Sequence, residues 1–499
     1  MTTTARAPRT YGNWRRPTSP GLLGLGALGT FILFGGLIAA IFTVQLAGLL
    51  AGLAVLAAVA TLVLVVRTRD RHHRNLFNRV FEWVGFRITT HRREHLYRSG
   101  PVFLTSGVGQ LPGLASKSRL HEFTDTLGRN FAMLYVPATR HYTVVLTTEP
   151  DGSALVDDAQ IDQWVAGWGL WLTDLADEPG IEAASVTIET SPDTGVRLRR
   201  EVETNLDPDA PPFALAVLRE SVEAYPRGSA TTTAAVALTF SAAARVGGRR
   251  RKAEEVARDL AARLPHLAAG LTSAGAGAAR PMTVQELCET IRSAYSISSA
   301  TRMHEAYAVG ETPELLWTEV GPAAHVAEWD HYRHDDAVSC TWSMTVPPRG
   351  NVQSSILARL LSPHRDIDRK RVTLLYRPID SARTAALVEA DLRTAAFLAS
   401  TSERPTARSK AAERAAEATA HEEASGAGLV NFGLLVTATV TSQARLADAQ
   451  AAVENLGATA RLRLRPVYGS QDSAFAAALP LGLVLPRHLK VPAELSGRL

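Results

Sequence analysis

The sequence predicts an α+β protein with a two-helix transmembrane hairpin at its N-terminus. Three observations lead to this fold class. Residues 21–66 contain no charged side chain, strand-like and helix-like patterns alternate over most of the remaining chain, and 46% of the 499 residues are apolar while 20% are charged. That balance is typical of folded chains and excludes a disordered, collagen-like or coiled-coil protein. The length predicts roughly three folded units.

Charge is distributed unevenly along the chain. Residues 1–110 contain thirteen arginines and three acids, a net of +10, whereas the remaining 40 basic and 46 acidic residues give −6. A mildly acidic body argues against a protein whose main surface grips nucleic-acid phosphates. A basic end suits an anionic membrane surface. With only two cysteines, Cys288 and Cys340, the chain is neither a disulfide scaffold nor a cysteine-rich metal module.

The uncharged run predicts two membrane-spanning helices. As one helix, its 46 residues would extend about 69 Å at ~1.5 Å per residue, roughly twice the ~30 Å core of a bilayer. We therefore expect helices near 21–42 and 45–66, joined by a tight turn at Thr43–Gln45. Because arginines flank the run on both sides, we expect a multi-pass protein of the cytoplasmic membrane with both termini in the cytoplasm.

The segments beside the run are predicted to lie at the membrane surface. Residues 1–20 read as a basic cytoplasmic tail and residues 67–115 as a basic juxtamembrane segment. Arginines and aromatic residues interleave over 67–98, a pattern that also occurs in nucleic-acid binding, but the neighbouring membrane run favours lipid headgroups. The predicted contacts with anionic lipid are Arg67, Arg69, Arg71, Arg74 and Arg79.

The body is predicted to consist of two cytoplasmic α+β regions, 116–330 and 331–486, followed by a tail at 487–499. Apolar residues recur at helical spacing over 157–177, and β-branched runs mark strands on either side of it. The second region repeats this rhythm and adds a long Ala/Arg/Glu helix over 381–422, broken near Pro405. Repeated strand–helix–strand units with a helical insertion predict ferredoxin-like units, with helices layered on a sheet.

No nucleotide-binding or catalytic motif is present in the sequence. A P-loop needs a Gly-Lys pair, and none of the five lysines follows a glycine; no GxSxG elbow occurs either. The strongest polar cluster surrounds His331 and His334, which are spaced to share a metal ion on one face of a helix. A solvated loop is the simpler interpretation. We expect no enzyme activity, catalytic residue, cofactor or metal.

Two stretches resemble proteins of bacterial conjugation. The segment Tyr468–Gly482 is similar to the end of the N-terminal, non-motor domain of TraC-type conjugation ATPases, through Gln471, Phe475, Leu479, Pro480, Leu481 and Gly482. The N-terminal layout resembles the PrgI-type membrane subunit, and the opening from Tyr11 to Pro17 resembles an actinobacterial family of conjugation-associated membrane proteins. This resemblance implies a type IV secretion subunit that fuses a membrane anchor to the non-motor domain.

The implied partners are a separate conjugation or secretion ATPase, other membrane subunits of the channel and anionic lipids, within an oligomeric complex and without sequence-specific binding of nucleic acid. Three alternatives stay open. One is an EccE-like membrane subunit of type VII secretion, which the C-terminal motif disfavours. The others, from different classes, are a membrane-bound metal-dependent enzyme using His331 and His334, and a nucleic-acid-binding module.

Overall fold

The structure is a computed structural model of the protein. It describes residues 10–12, 14, 26–67, 70, 72, 74, 76–99, 109–150, 152, 156–193, 195–207, 209–224, 230–243, 251–348, 350–400 and 406–489. Helices and strands both contribute extensively, so the predicted α+β class is confirmed.

Two apolar helices follow each other near the N-terminus. Helix α1 spans Gly26–Ala47 and α2 spans Leu49–Arg67. Gly48 separates them with a φ of +87°, a left-handed conformation that glycine adopts without strain. The helices approach closely where glycine faces the partner helix: a Cβ atom added to Gly36 would lie 2.5 Å from Val59, and one added to Gly52 would lie 2.0 Å from Val44.

The prediction of a multi-pass protein with both termini in the cytoplasm is wrong. Among the described residues, one helix is long and apolar enough to cross a membrane, over Thr30–Ala47 within α1. The turn lies at Gly48 and not at Thr43–Gln45, and the described apolar part of α2, Leu49–Leu64, is shorter than the 18-residue apolar window of α1.

The body is built on one antiparallel sheet with thirteen strands among the described residues. Their order is β1-β8-β9-β10-β12-β11-β5-β6-β4-β3-β2, with β13 also pairing β10 and β7 also pairing β4. The strands are β1 (Leu96–Arg98), β2 (Arg119–Thr124), β3 (Asn130–Val136), β4 (His141–Glu149), β5 (Ile181–Pro192), β6 (Ala230–Ser241), β7 (Ala278–Pro281), β8 (Ala324–Ala327), β9 (Tyr332–His334), β10 (Ala337–Val346), β11 (Arg369–Pro378), β12 (Val430–Val440) and β13 (Arg463–Pro466).

Helices connect these strands and cover both faces of the sheet. They are α3 (Leu76–His91), α4 (Asp158–Asp177), α5 (Val196–Thr204), α6 (Pro212–Ala224), α7 (Ala253–Leu271), α8 (Val284–Tyr295), α9 (Ile297–Ala308), α10 (Ala358–Leu361), α11 (Ser381–Ser400), α12 (Ala407–Ala424), α13 (Leu446–Thr459), α14 (Gln471–Ala478) and α15 (Leu485–His488). The long helix expected over 381–422 with a break near Pro405 corresponds to two helices, α11 and α12, which pack against each other; Pro405 itself lies outside the described residues.

The sheet contains the same strand order twice. The first half runs β7-β4-β6-β5 and the second β13-β10-β12-β11, and the halves join where β5 pairs β11. Helical insertions separate β5 from β6 and β11 from β12 in the same way. The sheet is continuous across residue 330, where the sequence suggested a division; that position falls between β8 and β9.

The two faces of the sheet differ in chemistry. On one face, α4 and α7 cover the first half and α13 covers the second half, over cores of aliphatic and aromatic side chains. On the other face, α8 and α14 pack over a layer that includes buried threonines, arginines and a histidine. Two threonine pairs occupy corresponding places in the halves, Thr143 with Thr239 at 3.1 Å and Thr341 with Thr437 at 3.0 Å between hydroxyl oxygens.

Candidate attachment site and the segment that joins the two halves

The chain before the apolar helices is bound to the body. Tyr11 exchanges two backbone hydrogen bonds with Val352, both 2.8 Å long, and its hydroxyl donates to Asp162 Oδ1 at 2.8 Å. The Trp14 ring meets Phe432 edge-on, with the ring centroids 5.3 Å apart. The described part of the predicted 1–20 tail thus lies against α4 and the start of β12.

The chain after the apolar helices is bound at the same end of the sheet. His72 Nδ1 lies 3.2 Å from the Thr345 hydroxyl, at the end of β10. Arg74 Nη1 donates to Glu82 Oε1 on α3, and Arg465 Nη2 of β13 donates to Glu82 Oε2, each at 2.8 Å. Because β12 begins where β10 ends, both flanks of the α1–α2 pair are held at one end of the body.

Few of the described side chains of α1 are buried. The Thr30–Ala47 window is only 6% buried, which is unlike a core helix of a soluble protein. Large apolar side chains that are about half exposed or more include Phe31, Phe34, Leu37, Ile38, Ile41, Phe42 and Leu46. An apolar surface of this extent requires a nonaqueous environment or a partner.

The five arginines predicted to contact lipid are placed unequally. Arg69 and Arg71 lie outside the described residues, and Arg67 ends α2 with its side chain outside them. Arg74 is engaged with Glu82, while Arg79 is exposed on α3. Their contact with lipid stays a prediction.

The conjugation-like segment 471–482 lies in the interior. Gln471 is fully buried and bonds both backbone groups of Thr341: its Oε1 accepts from the Thr341 N–H at 2.8 Å, and its Nε2 donates to the Thr341 carbonyl at 3.2 Å. Phe475 is also fully buried, with ring centroids of Tyr295, Tyr332 and His334 between 4.7 and 5.2 Å away. The residues that carry the resemblance therefore hold the fold together and are not a free docking surface.

This segment crosses from the second half of the sheet to the first. The Ala478 carbonyl accepts from the Thr373 hydroxyl on β11 at 2.7 Å, and the Gly482 carbonyl accepts from the Thr239 hydroxyl on β6 at 2.9 Å. Between them, Leu479, Pro480 and Leu481 are buried, the two leucines within the core of the first half. The segment thus ties the two halves across their junction.

We expect Gly482→Ala to lower the free energy of unfolding by about 2–4 kcal/mol. Gly482 has a φ of +62°, and a Cβ atom there would lie 2.2 Å from Thr239 Oγ1 and 2.5 Å from Thr143 Oγ1. The matched control is Gly350→Ala, with a φ of +72° and no heavy atom near its Cβ position. The control variant should lose only about 1 kcal/mol of unfolding free energy, which is the cost of a Cβ atom at a left-handed φ. Equal losses in urea unfolding would contradict the close packing.

A buried ion cluster lies beside this segment at the β5–β11 junction. Arg371 Nε donates to Glu189 Oε2 at 2.8 Å, and Arg369 Nε lies 3.2 Å from Glu189 Oε1. Burial alone would raise the pKa of the Glu189 carboxyl, but the guanidinium groups of Arg371 and Arg369 outweigh it and hold that pKa below its usual value. The Arg371 guanidinium also lies 5.4 Å from the centre of the Phe475 ring. Sequence patterns give no signal for this cluster, because its members are about 180 residues apart.

The two histidines of the metal-enzyme alternative have separate partners. His334 is buried, with Nδ1 donating to the Tyr295 carbonyl at 2.6 Å and Nε2 near the Ser339 hydroxyl at 2.8 Å. His331 Nδ1 instead lies 2.8 Å from Asp330 Oδ1. No three His, Cys, Asp or Glu side chains group as metal ligands within the part of the chain that the structure covers. Burial raises the pKa of the Cys288 and Cys340 thiols to about 12, which leaves both unreactive.

Acid is expected to destabilise the body through His334. Burial of the ring lowers its pKa to about 4, whereas an unfolded histidine titrates near 6.5. The unfolded chain therefore binds more protons between these values, so this stabilisation is complete above pH ~6.5 and falls by about 3 kcal/mol as the pH drops to ~4. The free energies of unfolding of the wild type and of His334→Gln, measured as a function of pH, should converge as the pH falls through this interval. Parallel curves would contradict the assignment.

Comparison with known families finds similarity at the apolar helices. A family model described as "Domain of unknown function (DUF8461)" matches residues 18–78. The matched stretch includes α1 and α2 and ends in the first turn of α3. None of the curated proteins matches the chain.

Proposed function

We propose that the protein is a non-catalytic, membrane-attached subunit of a type IV secretion or conjugation machine, and that it docks a separate ATPase chain. The observation that carries this proposal is the exposed apolar surface of α1, whose flanking segments are both held on one body. A body fixed at both flanks of its anchor keeps a defined orientation to the membrane. Two features of the sequence also support the proposal. One is the resemblance to the non-motor domain of a conjugation ATPase, and the other is that the sequence contains no P-loop.

The body suits a scaffold. Its two halves, with strand orders β7-β4-β6-β5 and β13-β10-β12-β11, support the interpretation of each as a ferredoxin-like unit. A buried segment and an ion cluster tie the units together, so binding surfaces on the two units keep a fixed spacing. Other channel subunits and further copies of the chain are the proposed neighbours in the membrane.

Membrane attachment is tested with a charge at the centre of α1. We expect Ile38→Arg to release the chain from carbonate-washed membranes, since an arginine at the centre of a membrane helix costs about 2.5–3.5 kcal/mol. The matched control, Val309→Arg, changes an exposed valine of the body. The intact mass of the membrane-bound wild type should include α1. Removal of α1 as a cleaved signal, or equal retention of the two variants, would contradict the proposal.

The docking role is tested by the location of the partner. In the native host, the conjugation ATPase is expected to move from the membrane to the soluble fraction when Ile38→Arg replaces the wild-type chain, and to stay with Val309→Arg. An ATPase that remains on the membrane in the absence of this chain would contradict a docking function.

A further inference from the structure

Helix α3 has one face on the body and one face outward. Its inward residues include Glu82, bonded to Arg74 and Arg465, and Phe86, whose ring meets Trp329 edge-on at 5.3 Å. The outward residues recur at i, i+4 and i+7 spacing, which places them on one stripe. Its apolar members are 40–72% exposed and are Leu76, Val80, Phe81, Trp83, Val84 and Ile88.

The outward face is basic as well as apolar. Arg79 and Arg87 are exposed on it, and the Arg87 guanidinium lies 5.1 Å from the centre of the Trp83 ring. Residues 67–99 contain nine arginines and three acids. All three acids are engaged: Asp70 accepts from the N–H groups of residues 72 and 74, Glu82 binds two arginines, and Glu94 lies 3.8 Å from Arg92.

We propose that this outward face of α3 binds the headgroup region of an anionic phospholipid layer. Val80, Val84 and Ile88 reach the acyl boundary, Arg79 and Arg87 contact lipid phosphates, and Trp83 lies at the interface between them. The inference deepens the proposed function and rests on its membrane attachment, because α3 begins nine residues after the end of α2.

A lipid layer fits this face better than a protein groove does. The face combines a narrow apolar row with arginines and lacks a free carboxylate, the pattern of helices that lie in the plane of a membrane. It also follows the apolar helices α1 and α2 closely along the chain. The charge of the face and its closeness along the chain to the apolar helices therefore both favour anionic lipid. The test below also shows whether a protein binds this face instead.

The test places a fluorescent probe on α3 of the full-length chain in nanodiscs. Both native cysteines are buried, so Val84→Cys can be labelled selectively with an environment-sensitive dye. Leu127→Cys, exposed at the far edge of the sheet, is the matched control. Nanodiscs contain phosphatidylcholine alone or mixed with phosphatidylglycerol, and doxyl-labelled lipid is the quencher. We expect quenching at position 84 with phosphatidylglycerol and none at position 127.

Charge variants identify the lipid contact. Arg79→Gln/Arg87→Gln is expected to lower the ratio of bound to free α3 about 30-fold, because each arginine near an anionic surface contributes roughly a fivefold change. Arg258→Gln/Arg302→Gln, with the same loss of charge on the body, should leave it unchanged. Quenching that is equal in both lipids, or a probe that leaves water only when a channel protein is added, would overturn the proposal. Incorporation of the chain into nanodiscs measures membrane attachment through α1 independently of the probe on α3. A failure of attachment can therefore be distinguished from a failure of α3 to bind lipid.

Discussion

Replacing Glu189 by glutamine is expected to lower the free energy of unfolding by about 3–5 kcal/mol, because it leaves Arg369 and Arg371 buried without their counter-charge. Both arginines are at most 6% exposed, and neither has another carboxylate among its described contacts. Chemical denaturation of the full chain measures the loss. Since the cluster lies at the β5–β11 junction, the two halves should also unfold less cooperatively.

A second carboxylate on the same strand provides the control for Glu189. Glu182 pairs with Arg487 at 2.9 Å, but the Arg487 side chain is 52% exposed. Exposed pairs contribute about 0–1 kcal/mol, so Glu182→Gln should have little effect. The apolar replacement Glu189→Met/Arg369→Met/Arg371→Met should recover most of the lost stability, because it removes the buried charges together. Similar losses in the two glutamine variants would contradict a buried ion cluster.

Phe475→Ala is expected to lower the free energy of unfolding by about 3–5 kcal/mol through the cavity it leaves. The ring is fully buried between Tyr295, Tyr332 and His334, and it also forms the contact with Arg371. Calorimetry of the full chain is the measurement. We expect the cooperative transition to broaden or split, because Phe475 belongs to the segment that ties the halves.

The control for Phe475 removes the same ring from the surface. Phe213 on α6 is 81% exposed, so Phe213→Ala should change the stability by less than about 0.5 kcal/mol. A small effect of Phe475→Ala with one sharp transition would show that the conjugation-like segment does not join the halves.

Much of the local structure follows from periodicity in the sequence. Apolar residues at helical spacing predict α4 over 157–177, and the structure has it at Asp158–Asp177. The strand rhythm predicted for the second region includes β11, at Arg369–Pro378. The small residues over 270–279 favour a loop, but this stretch ends in strand β7, because its backbone pairs with β4 and this pairing outweighs local composition.

Long-range arrangement could not be predicted from these patterns. The pairing of β5 with β11 joins residues more than 180 positions apart, and alternation along one strand carries no information about its neighbour. The single-glycine turn at Gly48 was also not predicted, since the polar residues Thr43 and Gln45 favoured a turn a few residues earlier and Gly48 is one of several glycines in the run. The multi-pass topology is overturned because, among the described residues, one helix is long and apolar enough to span a membrane.

The candidate site was predicted in part. The sequence singled out Gln471 and Phe475 by resemblance, and the structure places both in the interior. Their relation to a conjugation machine stays a prediction, as does the separate ATPase. The body contacts of Tyr11 and Arg74 were not predicted, because their partners Asp162 and Glu82 become neighbours only after folding.

Co-flotation with proteoliposomes tests the proposed function most directly. The purified conjugation ATPase of the native host would be mixed with liposomes that carry the full-length chain, the Ile38→Arg variant or no protein. We expect the ATPase to float only with the wild-type chain, and ATP hydrolysis to require the ATPase. Flotation of the ATPase with empty liposomes, or ATP turnover by the full-length chain alone, would contradict the proposal of a non-catalytic membrane subunit that binds the ATPase.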